Sequence, residues 1–132
     1  MTSQPHHSRH PQQWPRELRL NAGGRVLKVT FENGRGFDLP AEYLRVMSPS
    51  AEVQGHGPDE RKTLGGKENV TVTEVEPVGS YAVRLSFDDL HSTGIYTWDY
   101  LYELGARQTE KWAHYLAELK AKGLSRDRPG EK

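Results

Sequence analysis

A chain of 132 residues, 34% of them apolar and 27% charged, has the size of one small domain, and by surface-to-volume scaling it can bury about two-thirds of the surface its unfolded form exposes. It contains no cysteine, which excludes disulfides, cysteine-ligated zinc, iron–sulfur ligation by this chain alone and cysteine nucleophiles. The 18 Lys and Arg balance 18 Asp and Glu and are mixed with them along the chain, so the basic surplus of a nucleic-acid binder is missing.

Residues 1–15 are polar and rich in His, Gln and Pro, without the apolar run of a signal peptide. They are expected as a disordered tail. His6, His7 and His10 form a group able to take a transition metal, or simply a solvated stretch in which no ligand is positioned. No apolar run approaches the ~20 residues of a membrane helix, and the expected location is the cytoplasm of a bacterial-type cell.

From Leu18 the pattern becomes that of strands. Leu27, Val29 and Phe31 alternate with Val26, Lys28 and Thr30, the period of a half-buried strand. Asn33-Gly34 is a hairpin signal, and residues 36–39 form the return strand. Pro40 suits the first position of a short helix carrying Tyr43, Leu44 and Met47, with Glu42 complementing the helix dipole. Residues 48–67, with two prolines and four glycines, read as a long loop of the kind that is functional or mobile. Val70, Val72 and Val75 mark the next strand, with a bulge expected where the alternation breaks at Glu74. Tyr81, Val83, Leu85 and Phe87 give another strand, and residues 94–97 a short one after a turn at 88–92.

Two helices follow. Thr97 is expected to cap the first and Gly105 to stop it. Trp112, Tyr115, Leu116 and Leu119 form the apolar stripe of the second, Glu118 and Lys122 an outer i,i+4 pair, and Gly123 its end. The expected fold class is α+β: a small antiparallel β-sheet with a short inserted helix and two C-terminal helices. The expected organisation is a disordered tail at 1–15, one domain at 16–122 and a flexible charged tail at 123–132.

The chain has no Walker-type phosphate loop, nucleophile elbow or paired-His zinc helix. The segment 87–101 gathers Asp88, Asp89 and His91 with several aromatics. The two carboxylates and the imidazole are of the types that hold a metal through oxygen and nitrogen or act as an acid/base pair. The alternative is local: aspartates cap turns by accepting backbone N–H groups. Tyr96, Trp98, Tyr100 and Tyr102 either line a groove or belong to the core.

The segments 44–53 (LRVMSPSAEV) and 88–101 (DDLHSTGIYTWDYL) resemble the γ-butyrobetaine hydroxylase-like N-terminal domain family, also known as domain of unknown function 971. The resemblance spans roughly residues 14–119. It implies a small α+β fold with an antiparallel sheet. In the hydroxylases the domain precedes an iron- and 2-oxoglutarate-binding catalytic domain and holds a structural zinc through three cysteines and a histidine. Those positions correspond to Ser48, Ser50, Val53 and His91, so one of four ligands is retained. Serine hydroxyls are poor zinc ligands at neutral pH and valine is none. No cofactor is therefore expected, with zinc or iron binding weak or absent.

The same domain also occurs fused to P-loop ATPases of the iron–sulfur carrier type. The resemblance thus implies a non-enzymatic accessory domain, tied to iron–sulfur cluster or iron-enzyme maturation through a protein partner such as an assembly factor or that ATPase. The expected binding surface is the 48–67 loop and the His91 turn, with Arg45, Asp88, Asp89, His91, Tyr96 and Trp98 as candidates. Neither nucleic acid nor membrane is expected as a partner, and the chain is expected as a monomer or weak homodimer. Two alternatives stand beside this: a metal-binding domain using His91 with Asp88, Asp89 or His56 as substitute ligands, and a small enzyme using His91 and Asp89.

Overall fold

The alternation over Val26–Phe31 builds the central strand of a three-stranded meander, in a computed structural model that describes residues 13–49, 63–89 and 93–127. β1 (Pro15–Asn21), β2 (Val26–Phe31) and β3 (Gly36–Pro40) pair antiparallel in that order. Leu27, Val29 and Phe31 are fully buried, and Leu27 lies opposite Leu39. The hairpin signal at Asn33-Gly34 is realised: Gly34 N–H donates to Phe31 O, and Asn33 Oδ1 accepts from the Arg35 amide. α1 (Ala41–Val46) starts one residue later than expected, because Pro40 is the extended cap residue and not the first helical one.

A second meander holds β4 (Val72–Val78), β5 (Ala82–Phe87) and β6 (Thr93–Thr97), again antiparallel in chain order. The register slips between Val72 and Glu74, the bulge expected from the broken alternation. The strands thus form an α+β domain with two small antiparallel sheets. Val83, Leu85 and Phe87 share one core with Leu27, Val29 and Phe31.

α2 (Trp98–Ala106) and α3 (Gln108–Ala121) close that core with Leu101, Leu104, Tyr115 and Leu119. Thr97 caps α2 by accepting from the Tyr100 amide at 3.1 Å. Thr97→Ala is expected to cost about 1 kcal/mol in chemical denaturation, the usual value of a lost cap.

Gly105 does not stop α2 but lies inside it. A Cβ there would come within 2.3 Å of the Phe37 ring, so the glycine permits close helix-to-strand packing. Gly123 does end α3: at φ +69 it donates to Lys120 O while Leu124 N–H reaches Leu119 O, the paired bonds of a Schellman end. Leu116 belongs to the expected stripe but is 38% exposed. Glu118 and Lys122 meet through Thr63, whose hydroxyl donates to Glu118 and accepts from Lys122.

The segment after Gly123, expected as a flexible tail, begins with ordered contacts. Gly66 and Glu68 amides donate to the carbonyls of Ser125 and Arg126. Arg126 makes a two-point pair with buried Glu42 at 2.7 and 2.8 Å and lies over Trp112. Among the described residues no helix is long and apolar enough to cross a membrane.

Candidate functional site

α1 is six residues long, and every one of its side chains is buried. Such a helix is too short to persist alone, and its C-terminal carbonyls need partners from elsewhere. Tyrosines supply them. Tyr96 on β6 donates to Leu44 O at 2.5 Å, and Tyr100 on α2 donates to Met47 O at 2.5 Å. Tyr43 on α1 in turn donates to Leu104 O of α2 at 2.7 Å. Burial pushes the Tyr96 hydroxyl well above its ordinary value, opposed by a hydrogen bond with Ser48 and by the charge of Arg45.

Next to this clamp three charged groups from distant parts of the chain converge. Arg45 Nε lies 2.8 Å from Asp89 Oδ2, and Lys67 Nζ lies 2.7 Å from the same oxygen. Arg45 is 1% exposed, while Asp89 and Lys67 are 21% and 20% exposed, so water screens the pairs poorly. Asp88 acts beside them as a turn residue, accepting from both the amide and the hydroxyl of Thr71, whose carbonyl accepts from the Asp88 amide. Ser48 follows α1 and is 2% exposed. A Cβ at Gly94 would lie 2.6 Å from Ser48 Oγ and 3.4 Å from Pro49 Cδ, so the end of α1 rests directly on the start of β6.

The candidates named from the sequence therefore separate. Arg45, Tyr96 and Trp98 do not lie on a surface: they are 1%, 0% and 9% exposed, and the Trp98 indole donates to Ser80 O. The two aromatics face inward because alternation along β6 turns Tyr96 into the core and Trp98 opens the buried side of α2. Asp88 is exposed, Asp89 is partly buried, and Ser48 is buried. His91, Ser50, Val53 and His56 lie outside the described residues, as do the tail histidines His6, His7 and His10. Sequence reasoning missed Lys67, which read as the end of the 48–67 loop, and missed Arg45 as an interior ion-pair member. No local signal marks either, since their partner is 22 and 44 residues away.

Two shallow clefts flank the clamp. One, about 470 Å³, lies between α1 and α3 and is lined by Met47, Tyr100, Lys111, His114 and Tyr115. The other, about 640 Å³, runs past Tyr43, Gly105, Trp112 and Leu116.

A sequence model of the gamma-butyrobetaine hydroxylase-like N-terminal family matches residues 18–102. The chain belongs to that family. Among solved structures it is similar to two proteins determined in solution by NMR. One is 50% identical, with a TM-score of 0.75, 91% of this chain and 94% of that one being covered. The other is 43% identical, with a TM-score of 0.77, over 97% of this chain and 92% of that one. A crystal structure of a DUF971-family protein of unknown function from Acidithiobacillus ferrooxidans is also 43% identical, with a TM-score of 0.58 over 70% of this chain and 92% of that one. No curated protein matches the chain.

A zinc centre of the kind the resemblance implies does not fit the residues described at this place. The Ser48 hydroxyl is buried against Tyr96, and the cations of Arg45 and Lys67 both meet on the Asp89 carboxylate. Among the described residues no group of three or more His, Asp or Glu could hold a metal ion. The two aspartates expected as substitute ligands are each engaged by protein donors, Asp88 by Thr71 and Asp89 by Arg45 and Lys67.

Proposed function

We propose that this chain is a non-enzymatic, cytoplasmic binding module. It would dock a protein partner through the surface around Pro49, Asp89 and Gly94, next in the sequence to residues 50–62 and 90–92. The observation that supports this reading is the meeting of Ser48 and Pro49 with Gly94, next to the ion pairs that tie Asp89 to Arg45 and Lys67. These contacts set Pro49 beside Gly94 and Asp89 beside Arg45 and Lys67, on a base shared by α1 and the second sheet. Binding residues are commonly placed on loops held by such a scaffold. The partner proposed is an iron–sulfur assembly factor or a P-loop ATPase carrier.

Affinity capture with the full chain, compared with His91→Ala and Asp88→Ala, tests the reading. One assembly factor or carrier ATPase should be enriched by the wild type and lost in His91→Ala. The module reading fails if the wild type enriches nothing beyond an unrelated bait, or if both variants capture the same protein equally well.

A further inference from the structure

We propose that the Arg45, Asp89 and Lys67 ion pairs are a metal-free crosslink. Together with the Ser48, Tyr96 and Gly94 contact, they hold the end of α1 and the lead-in to β4 against the end of β5. A structural metal performs the same kind of mechanical task. The inference concerns how the domain is held together and does not depend on which partner it binds.

The need for a crosslink is local. α1 is less than two turns long, and residues 63–71 contain no helix or strand before β4 begins at Val72. Neither piece has enough hydrogen bonding of its own to fix its position. Asp89 reaches both at once: one carboxylate oxygen accepts from Arg45 on α1 and from Lys67 on the lead-in. Asp88 adds a third tie, to Thr71. The link therefore joins three segments, as a multidentate metal would.

The residue types suit the task. Arg45 is buried, where a guanidinium keeps its charge and presents fixed donors, while Lys67 closes the solvent side on a flexible stem. The same charges work against a cation. A divalent ion drawn to Asp89 would have to displace the Arg45 guanidinium and the Lys67 ammonium from the same carboxylate oxygen. In a domain held by metal, ligand binding is part of the folding free energy, so a chelator unfolds it. Here ion pairs stand in for that ligand binding, so a chelator has nothing to remove, while deleting one partner leaves an uncompensated charge.

The experiment is thermal unfolding of the full chain, purified from cells supplied with zinc and iron, with and without a strong chelator, alongside elemental analysis. The wild type is expected to carry no stoichiometric metal and to melt within about 1 °C with or without chelator. Asp89→Asn, which leaves two cations facing a neutral amide, is expected to melt about 10 °C lower or more. Lys67→Met removes only the partly exposed cation, should melt a few degrees lower, and decides the matter if Asp89→Asn does not fold. Stoichiometric metal, or a chelator-induced fall that added zinc reverses, overturns the proposal. So does wild-type melting by Asp89→Asn, or wild-type melting by Lys67→Met where Asp89→Asn does not fold.

Discussion

Gly24→Ala is expected to lower stability by about 3 kcal/mol and the melting temperature by roughly 10–20 °C. Two independent costs add. Gly24 sits at φ +93, in the left-handed region, where a side chain costs about 1 kcal/mol. Its Cβ would also lie 2.4 Å from the carbonyl oxygen of Val72, the first residue of β4. That neighbour is backbone and cannot rotate away, so relief requires the turn after β1 to move off the second sheet. Overpacking of this kind costs a further 1–3 kcal/mol or so. Gly34→Ala is the control: φ is +92, but nothing lies within 4 Å of the Cβ, so about 1 kcal/mol is expected. Differential scanning calorimetry of the pair separates backbone strain from the close approach of the sheets. Equal losses would show that the approach contributes nothing.

Alkaline unfolding is expected to be cooperative and driven by tyrosine. The hydroxyls of Tyr43, Tyr96 and Tyr115 donate to the carbonyls of Leu104, Leu44 and Leu64, and the side chains are 1%, 0% and 3% exposed. Burial holds all three well above the ordinary tyrosine value of 10.0. The neutral form is therefore the one the fold binds. Its contribution is complete below pH 10, where the unfolded chain also keeps its phenols neutral. It is lost as pH rises further, because the unfolded chain ionises first. Each such group withdraws about 1.4 kcal/mol per pH unit above 10. Three together withdraw about 4 kcal/mol per pH unit and so exhaust a stability at the lower end of the usual 5–15 kcal/mol between about pH 11 and 12.

Circular dichroism and tyrosinate absorbance followed on one sample check this. Tyr102, whose hydroxyl accepts from Asn33 and Arg35, is lowered by those bonds and should ionise early without loss of structure. Tyr43, Tyr96 and Tyr115 should ionise only in the unfolding transition. Their titration in a chain that still gives native circular dichroism would refute the burial argument.

Much of the fold was legible because its signals are local. The alternation at Leu27, Val29 and Phe31, the Asn33-Gly34 turn, the slip near Glu74 and the Thr97 cap each act over a few residues, and each appears where the sequence placed it. The errors fall where a distant partner decides. Gly105 reads as a helix stop, but the Phe37 ring claims its missing side chain. Residues 125–126 read as part of a flexible charged tail, but the 66–68 loop and Glu42 bind them.

The candidate site divides in the same way. By itself the sequence determined the α+β class, the family and the absence of cysteine, because composition, periodicity and motif are properties of neighbours along the chain. It also marked the two aspartates as turn residues or ligands, without choosing between these. Only the tertiary structure decided that Asp88 ties Thr71 while Asp89 gathers Arg45 and Lys67, and that Tyr96 and Trp98 are interior. The physical reason is that an ion pair depends on distance in space. Its strength grows as burial removes water, and neither quantity can be read from residues 22 and 44 positions apart.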